Sequence, residues 1–149
     1  MSMNWRRRAR SERGQALLET AITLPVLLFV AVGIIEFGRA YQTWQVVTNA
    51  AREGARVAVL PGTADASVTT RVQDYLEAGQ LTGASEATVA INRNNAISLG
   101  AGTASASSVV VSYPFEFMVL QPVANLVVTG STYGEALTMT ASATMRNES

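Results

Sequence analysis

Catalysis near neutral pH usually draws on histidine, cysteine or lysine, and this chain of 149 residues has none of them. That removes the commonest general base, thiol nucleophiles, thiolate metal ligation, Schiff-base chemistry and the lysine of a phosphate-binding loop. Carboxylates, hydroxyls and arginines remain, and their spacing builds no catalytic constellation. Asp74 and Glu77 stand three apart on a helical stretch and read as a solvated face. Gly100-Ala101-Gly102 opens a GxGxxG run, but Ser105 occupies the third glycine position and no helix signal follows. Gly130-Ser131 has no histidine to make it a nucleophile elbow, and the scattered acids form no metal-binding loop. The expectation is therefore a protein that is not an enzyme and holds no metal or cofactor. Two acids do stand out. Glu19 lies at the edge of residues 20–35, a run without a charged residue, where a carboxylate costs on the order of a few kcal/mol unless it reaches headgroups or a partner. Glu36 closes the same run and can pair structurally with Arg39, three residues on.

The elements that position these acids begin with a basic segment. Residues 1–14 carry Arg6, Arg7, Arg8, Arg10 and Arg13 against Glu12, about +4, while the remainder is about −4. A mildly acidic remainder argues against nucleic-acid binding, which wants a basic face. With Ala16 to Glu19 added, the apolar run reaches about 20 residues, near 30 Å of helix, enough to cross a hydrocarbon core. The arginines then stay cytoplasmic and the chain beyond crosses to the far side. A cleaved secretory signal fits less well, because the apolar run is long and Ala31-Val32-Gly33 is followed by Ile34 and Ile35. Pro25 inside the helix should kink or loosen it. Phe37, Tyr41 and Trp44 read either as an interfacial aromatic belt or as the apolar stripe of a helix.

Helical register continues to Leu60. Tyr41, Trp44, Thr48, Ala51, Ala55 and Ala58 fall at steps of three and four, with Gln42, Gln45, Asn49, Arg52, Glu53 and Arg56 opposite. Pro61-Gly62 stops this helix, which is expected to run from about residue 12 to residue 60. Asp65 is expected to cap a second helix that buries Val68, Val72, Leu76 and Tyr75 and ends at Gly79. Beyond it alternation takes over. Residues 88–91 read as a strand, Arg93-Asn94-Asn95 as a turn and residues 97–99 as its return. Residues 100–108 read as a loop or hairpin tip, and residues 109–113 as a strand that Pro114 ends or places at an edge. Residues 115–128 suit a short helix or a loop packed on the long helix, a partner or the membrane surface; Glu116 and Pro122 argue against a second span. Residues 130–134 read as a turn. In the last strand Leu137, Met139, Ala141, Ala143 and Met145 face one way, toward a sheet covered by the long helix.

The junction Gly14-Gln15-Ala16-Leu17-Leu18-Glu19 resembles a prepilin-peptidase processing site, in which a basic leader ends in glycine and a glutamate stands fifth in the mature chain. A longer resemblance, over about residues 13 to 58, is to the TadE-like family of pseudopilins of tight-adherence (Flp-type) pili. It is carried by RGQALLE, by Pro25 after Leu24, by Glu36-Phe37-Gly38-Arg39, and by Asn49-Ala50-Ala51-Arg52-Glu53-Gly54-Ala55-Arg56. Thr20 departs from it, since an aromatic usually follows the glutamate. The resemblance implies cleavage between Gly14 and Gln15, and an assembly role for Glu19, paired with the freed amino terminus of a neighbouring subunit. It implies prepilin peptidase, other pilins and the pilus assembly platform as partners, and the bacterial inner membrane as location, with the N-terminus cytoplasmic and the head extracytoplasmic.

The expected organisation is a leader at 1–14, a transmembrane helix at 15–38, a helical extension at 39–60 and a small head at 61–149. The expected fold is α+β and pilin-like, a long transmembrane helix leading into a head with a second helix and an antiparallel sheet of about three to four strands. The expected function is that of a minor pilin or pseudopilin. The alternative is an unprocessed single-pass membrane protein that presents an extracytoplasmic binding domain.

Overall fold

A computed structural model describes residues 5–98, 100, 102–127 and 136–147, so the expected turn at 130–134 lies outside the described residues. Helix α1, Trp5–Ala58, dominates with 54 residues, a length of roughly 80 Å at the α-helical rise. It starts earlier than expected because the basic segment is helix-competent: arginine and alanine are good helix formers, and Gly14 alone opposes them. The helix passes through Pro25 as one element. A proline removes a single i→i−4 bond, and the bonds on either side span it. Helix α2, Asp65–Ala78, follows a turn in which Gly62 takes φ 75°. A 3-10 turn, Ala84–Glu86, leads into strand β1, Thr88–Ser98. Strand β2, Thr103–Phe115, helix α3, Leu120–Val127, and strand β3, Leu137–Arg146, complete the chain. The strands form an antiparallel sheet in the order β1-β2-β3. The molecule is α+β, with a long apolar N-terminal helix, a second helix and three strands.

The C-terminal part of α1 is the centre of the core. Val47, Ala50, Ala51 and Ala55 are fully buried and Ala58 nearly so, between α2 on one side and the sheet on the other. The buried stripe is rotated from the expected one. Ala51, Ala55 and Ala58 are buried as expected, but Tyr41 and Trp44 are exposed and touch each other, with ring centroids 6.4 Å apart. A helix held between two layers has room for methyl groups, not for rings. Gly54 is the extreme case: a Cβ there would stand 2.6 Å from Cγ2 of Val72 and 3.2 Å from Cγ1 of Val109.

Helix α2 buries Val68, Val72 and Leu76 as expected, and Tyr75 partly. Asp65 is not its cap. Ala64 precedes the helix without a side-chain cap bond, and Asp65 is the first helical residue. The missing cap costs about 1 kcal/mol, whereas each buried Val or Leu contributes about 1.5–3 kcal/mol, so packing sets this helix. In the sheet, β1 does not turn at Arg93-Asn94-Asn95. It runs on, and the pairing slips from Asn92↔Ser108 to Asn95↔Ala106, a bulge that absorbs one residue. The hairpin tip is correspondingly short, and residues 103–108 belong to β2, where Ala106 and Ser107 are buried. Pro114 neither ends β2 nor lies on an outer strand. Its partner is Thr138 on β3, and β1 has already ended at Thr88↔Ser112, so the proline sits where the central strand has a neighbour on one side only. In β3, Met139 and Ala141 are buried and Ala143 and Met145 pack against the core, while Leu137 is exposed.

Candidate functional site

Two features of α1 lie at opposite ends of its apolar run. At the N-terminal end Gly14, Gln15 and Glu19 are exposed, and a Cβ on Gly14 would meet nothing. Glu19 has no hydrogen-bond or ionic partner among the described residues. Thr20 donates its hydroxyl to the Ala16 carbonyl at 2.9 Å, which satisfies the one polar side chain that opens the run. Leu17, Leu18, Ile22, Leu24 and the residues that follow, Pro25 among them, stand open to the surroundings. Helix α1 contains an 18-residue stretch of mean hydropathy 2.3, none of it buried, long and apolar enough to cross a membrane. An apolar face of this size has no counterpart elsewhere on the described surface, and a soluble protein would have to cover it.

At the other end, roughly 30 Å away along the helix, the run closes on a carboxylate clamp. Glu36 is 3 % exposed. Its Oε1 accepts the backbone N–H groups of Met118 and Val119, each at 3.0 Å, and its Oε2 accepts that of Met118 at 3.1 Å. Arg39 stands 3.4 Å from Oε2 and also donates to the Glu116 carbonyl at 3.0 Å. The guanidinium carbon of Arg39 lies 5.2 Å from the Phe115 ring centre, within cation–π range. Phe117 meets Phe37 and Phe115 edge-on, with ring centroids 5.9 and 5.1 Å apart. A buried carboxylate is stable when charged donors and N–H groups replace its water, and Glu36 has both. The expected Glu36–Arg39 pair is present, but as half of a clamp that grips the start of α3. Gly38 is exposed, with open space where its Cβ would stand.

The run from Asn49 to Arg56 divides by role. Ala50, Ala51, Gly54 and Ala55 build the core. Asn49 accepts from Arg52 at 3.4 Å on the surface. Glu53 ties α1 to α2 through Arg71 at 2.8 Å, with Arg56 at 3.6 Å on its own helix. The hydrogen bond from Arg71, and the charges of Arg71 and Arg56, hold the Glu53 carboxyl below its ordinary range.

Three anchors escaped the sequence reading. The N–H groups of Met118 and Val119 carry no side-chain signal. Arg93, read as a turn residue, donates to Asp65 at 2.8 Å, to the Ala58 carbonyl at 2.7 Å and to the Thr63 carbonyl at 2.8 Å. It thereby neutralises the C-terminal end of α1 and fixes the connection to α2. Its signal was the alternation that places it on the same face as Val89 and Ile91. Tyr113 donates its hydroxyl to the Thr82 carbonyl, and burial pushes its pKa up. Beside the clamp a groove of about 1010 Å³ opens between α1, the turn at 79–83 and residues 113–122, with Arg39, Thr43, Glu86 and Gln121 on its walls.

The comparisons with known proteins meet this geometry on α1. Residues 14–56 match the family model described as TadE-like protein. The match begins at the glycine of the junction and ends with the last arginine of the core-building run. No curated protein and no solved structure matches the chain.

Proposed function

We propose that this protein is a minor pilin or pseudopilin in the assembly of a tight-adherence (Flp-type) pilus or a related secretion system. Its basic leader stays cytoplasmic, prepilin peptidase cuts between Gly14 and Gln15, and the apolar helix is held in the bacterial inner membrane with the head outside. The observation that carries this reading is the TadE-like match over residues 14–56, the same segment that presents an uncovered apolar helix. Glu19 then finds its partner in the amino group that cleavage frees on a neighbouring subunit, because each charge alone is costly in lipid. The role is structural: the residues of this segment pack, pair or face the membrane, and the chain brings no histidine, cysteine or lysine to catalysis. Intact-mass measurement of the membrane-extracted protein, from a host with prepilin peptidase, tests it. The expected mass lacks residues 1–14, and Gly14→Leu retains them and abolishes pilus formation. A wild-type chain that keeps its leader refutes processing.

The groove beside Arg39 favours a second reading, an unprocessed single-pass protein whose head binds a partner. Pilus formation that survives Gly14→Leu with the leader intact selects that reading.

A further inference from the structure

We infer that the segment 116–123 is a second, shallow membrane contact, in which Met118, Val119 and Val123 rest on the outer bilayer surface beside α1. The inference stands on the reading that the apolar run of α1 crosses the membrane.

The clamp fixes the height of this segment. Glu36 is the first charged residue after the run, and the N–H groups of Met118 and Val119 bond directly to it. The loop therefore lies level with the end of the apolar helix, where hydrocarbon gives way to headgroups. At that height the segment shows apolar surface outward. Met118 is 70 % exposed, Val119 43 % and Val123 36 %, and Ile34, Ile35 and Phe37 extend the exposed apolar surface along α1. Helix α3 (LQPVANLV) contains no charged residue. Glu36 is buried and needs no water, so the clamp itself does not oppose the contact. Tyr41 and Trp44, exposed on α1 roughly 8–12 Å above Glu36 at the helical rise, fall where amphipathic rings favour the headgroup layer. Met118 and Val119 meet the bilayer surface at the level of Glu36, and Tyr41 and Trp44 meet the headgroup layer above it. The chemistry is that of a small interfacial element: apolar side chains, no charge from Phe117 to Val123, its one charge on Glu116 at the end beside Arg39, and a fixed distance from a span.

The chain has no cysteine, so single-cysteine variants report position directly. Met118→Cys, Val123→Cys, Phe29→Cys and Ser142→Cys, each in the full chain, are labelled with a polarity-sensitive fluorophore and reconstituted in phosphatidylcholine vesicles. Phosphatidylcholine spin-labelled near the top of its acyl chain is expected to quench positions 118 and 123, and lipid spin-labelled deep in the chain to quench position 29. Position 142, on the outward face of β3, is expected to respond to aqueous iodide alone. Met118→Asp is expected to reduce lipid quenching at position 123 and Met118→Leu to preserve it; the bonds to Glu36 come from the backbone and survive both changes. If positions 118 and 123 behave like 142 while 29 is quenched by lipid, the surface contact is overturned and the membrane helix stands. If position 29 also fails to respond to lipid, the membrane reading itself falls. Shielding of position 118 from both lipid and iodide, growing with the protein-to-lipid ratio, makes a second copy the partner and likewise overturns the inference.

Discussion

Glu36 has exchanged water for two backbone N–H groups and a guanidinium, and each partner depends on it in turn. Removing the carboxylate leaves Met118 and Val119 without an acceptor and Arg39 without its counter-charge, and an unsatisfied buried donor costs about 1–3 kcal/mol. Glu36→Ala is expected to lower stability by about that amount and to speed hydrogen exchange at the amides of 118 and 119 more than elsewhere. Denaturant titration in micelles, with exchange read by mass spectrometry, measures both. Unchanged exchange at those amides excludes the clamp as their acceptor. Glu19 is the opposite case: it is exposed on the same helix without a partner among the described residues, so its replacement leaves the stability of the isolated subunit nearly untouched.

Among elements, the decisive contact is the passage of α1 between α2 and β2 at Gly54. Alanine favours a helix over glycine by about 1 kcal/mol, yet a Cβ there must displace Val72 and Val109, and overpacking costs about 1–3 kcal/mol. Gly54→Ala is therefore expected to destabilise on balance. Val72→Ala makes room for the new methyl, so the double variant is expected to be more stable than the sum of the two single changes allows. A thermal-denaturation double-mutant cycle checks this, and additive changes would exclude the proposed clash. The same elements explain what the sequence disclosed. Period-2 and 3.6-residue patterns reflect burial by a single neighbouring layer, so β3, α2 and the apolar run were readable. Where two layers act together the pattern fails. The stripe on α1 was read through Tyr41 and Trp44 because rings resemble core residues, although the space beside α1 admits only methyl groups. Asn94 and Asn95 look like turn residues locally, and the pairing of β1 with β2 overrides them with a bulge. The clamp was half visible: Glu36 and Arg39 are three apart on one helix, while their partners lie about eighty residues away as backbone N–H groups, which any sequence supplies.

For the whole molecule, α1 is both the apolar span and the centre of the head. Val47 and the four core alanines bury about 5 kcal/mol of apolar surface, comparable with the entire net stability of a small domain. The head therefore has no core of its own without residues 47–58, and motions of the helix pass to the sheet through packed side chains rather than through a flexible linker. Cutting the chain at two places separates these roles. A fragment of residues 36–149 keeps the clamp and the core stripe; it is expected to fold without detergent and to melt in one cooperative transition. A fragment of residues 61–149 keeps α2 and all three strands and is expected to show neither dispersed amide resonances nor a cooperative melt, because Val68, Val72, Val109 and Val111 lose the surface that covers them. If the shorter fragment folds cooperatively, the helix is a passenger on an independent head. If it folds only when a peptide of residues 36–60 is added, the helix is the missing part of the core, and the direction of its apolar run then fixes where the head stands.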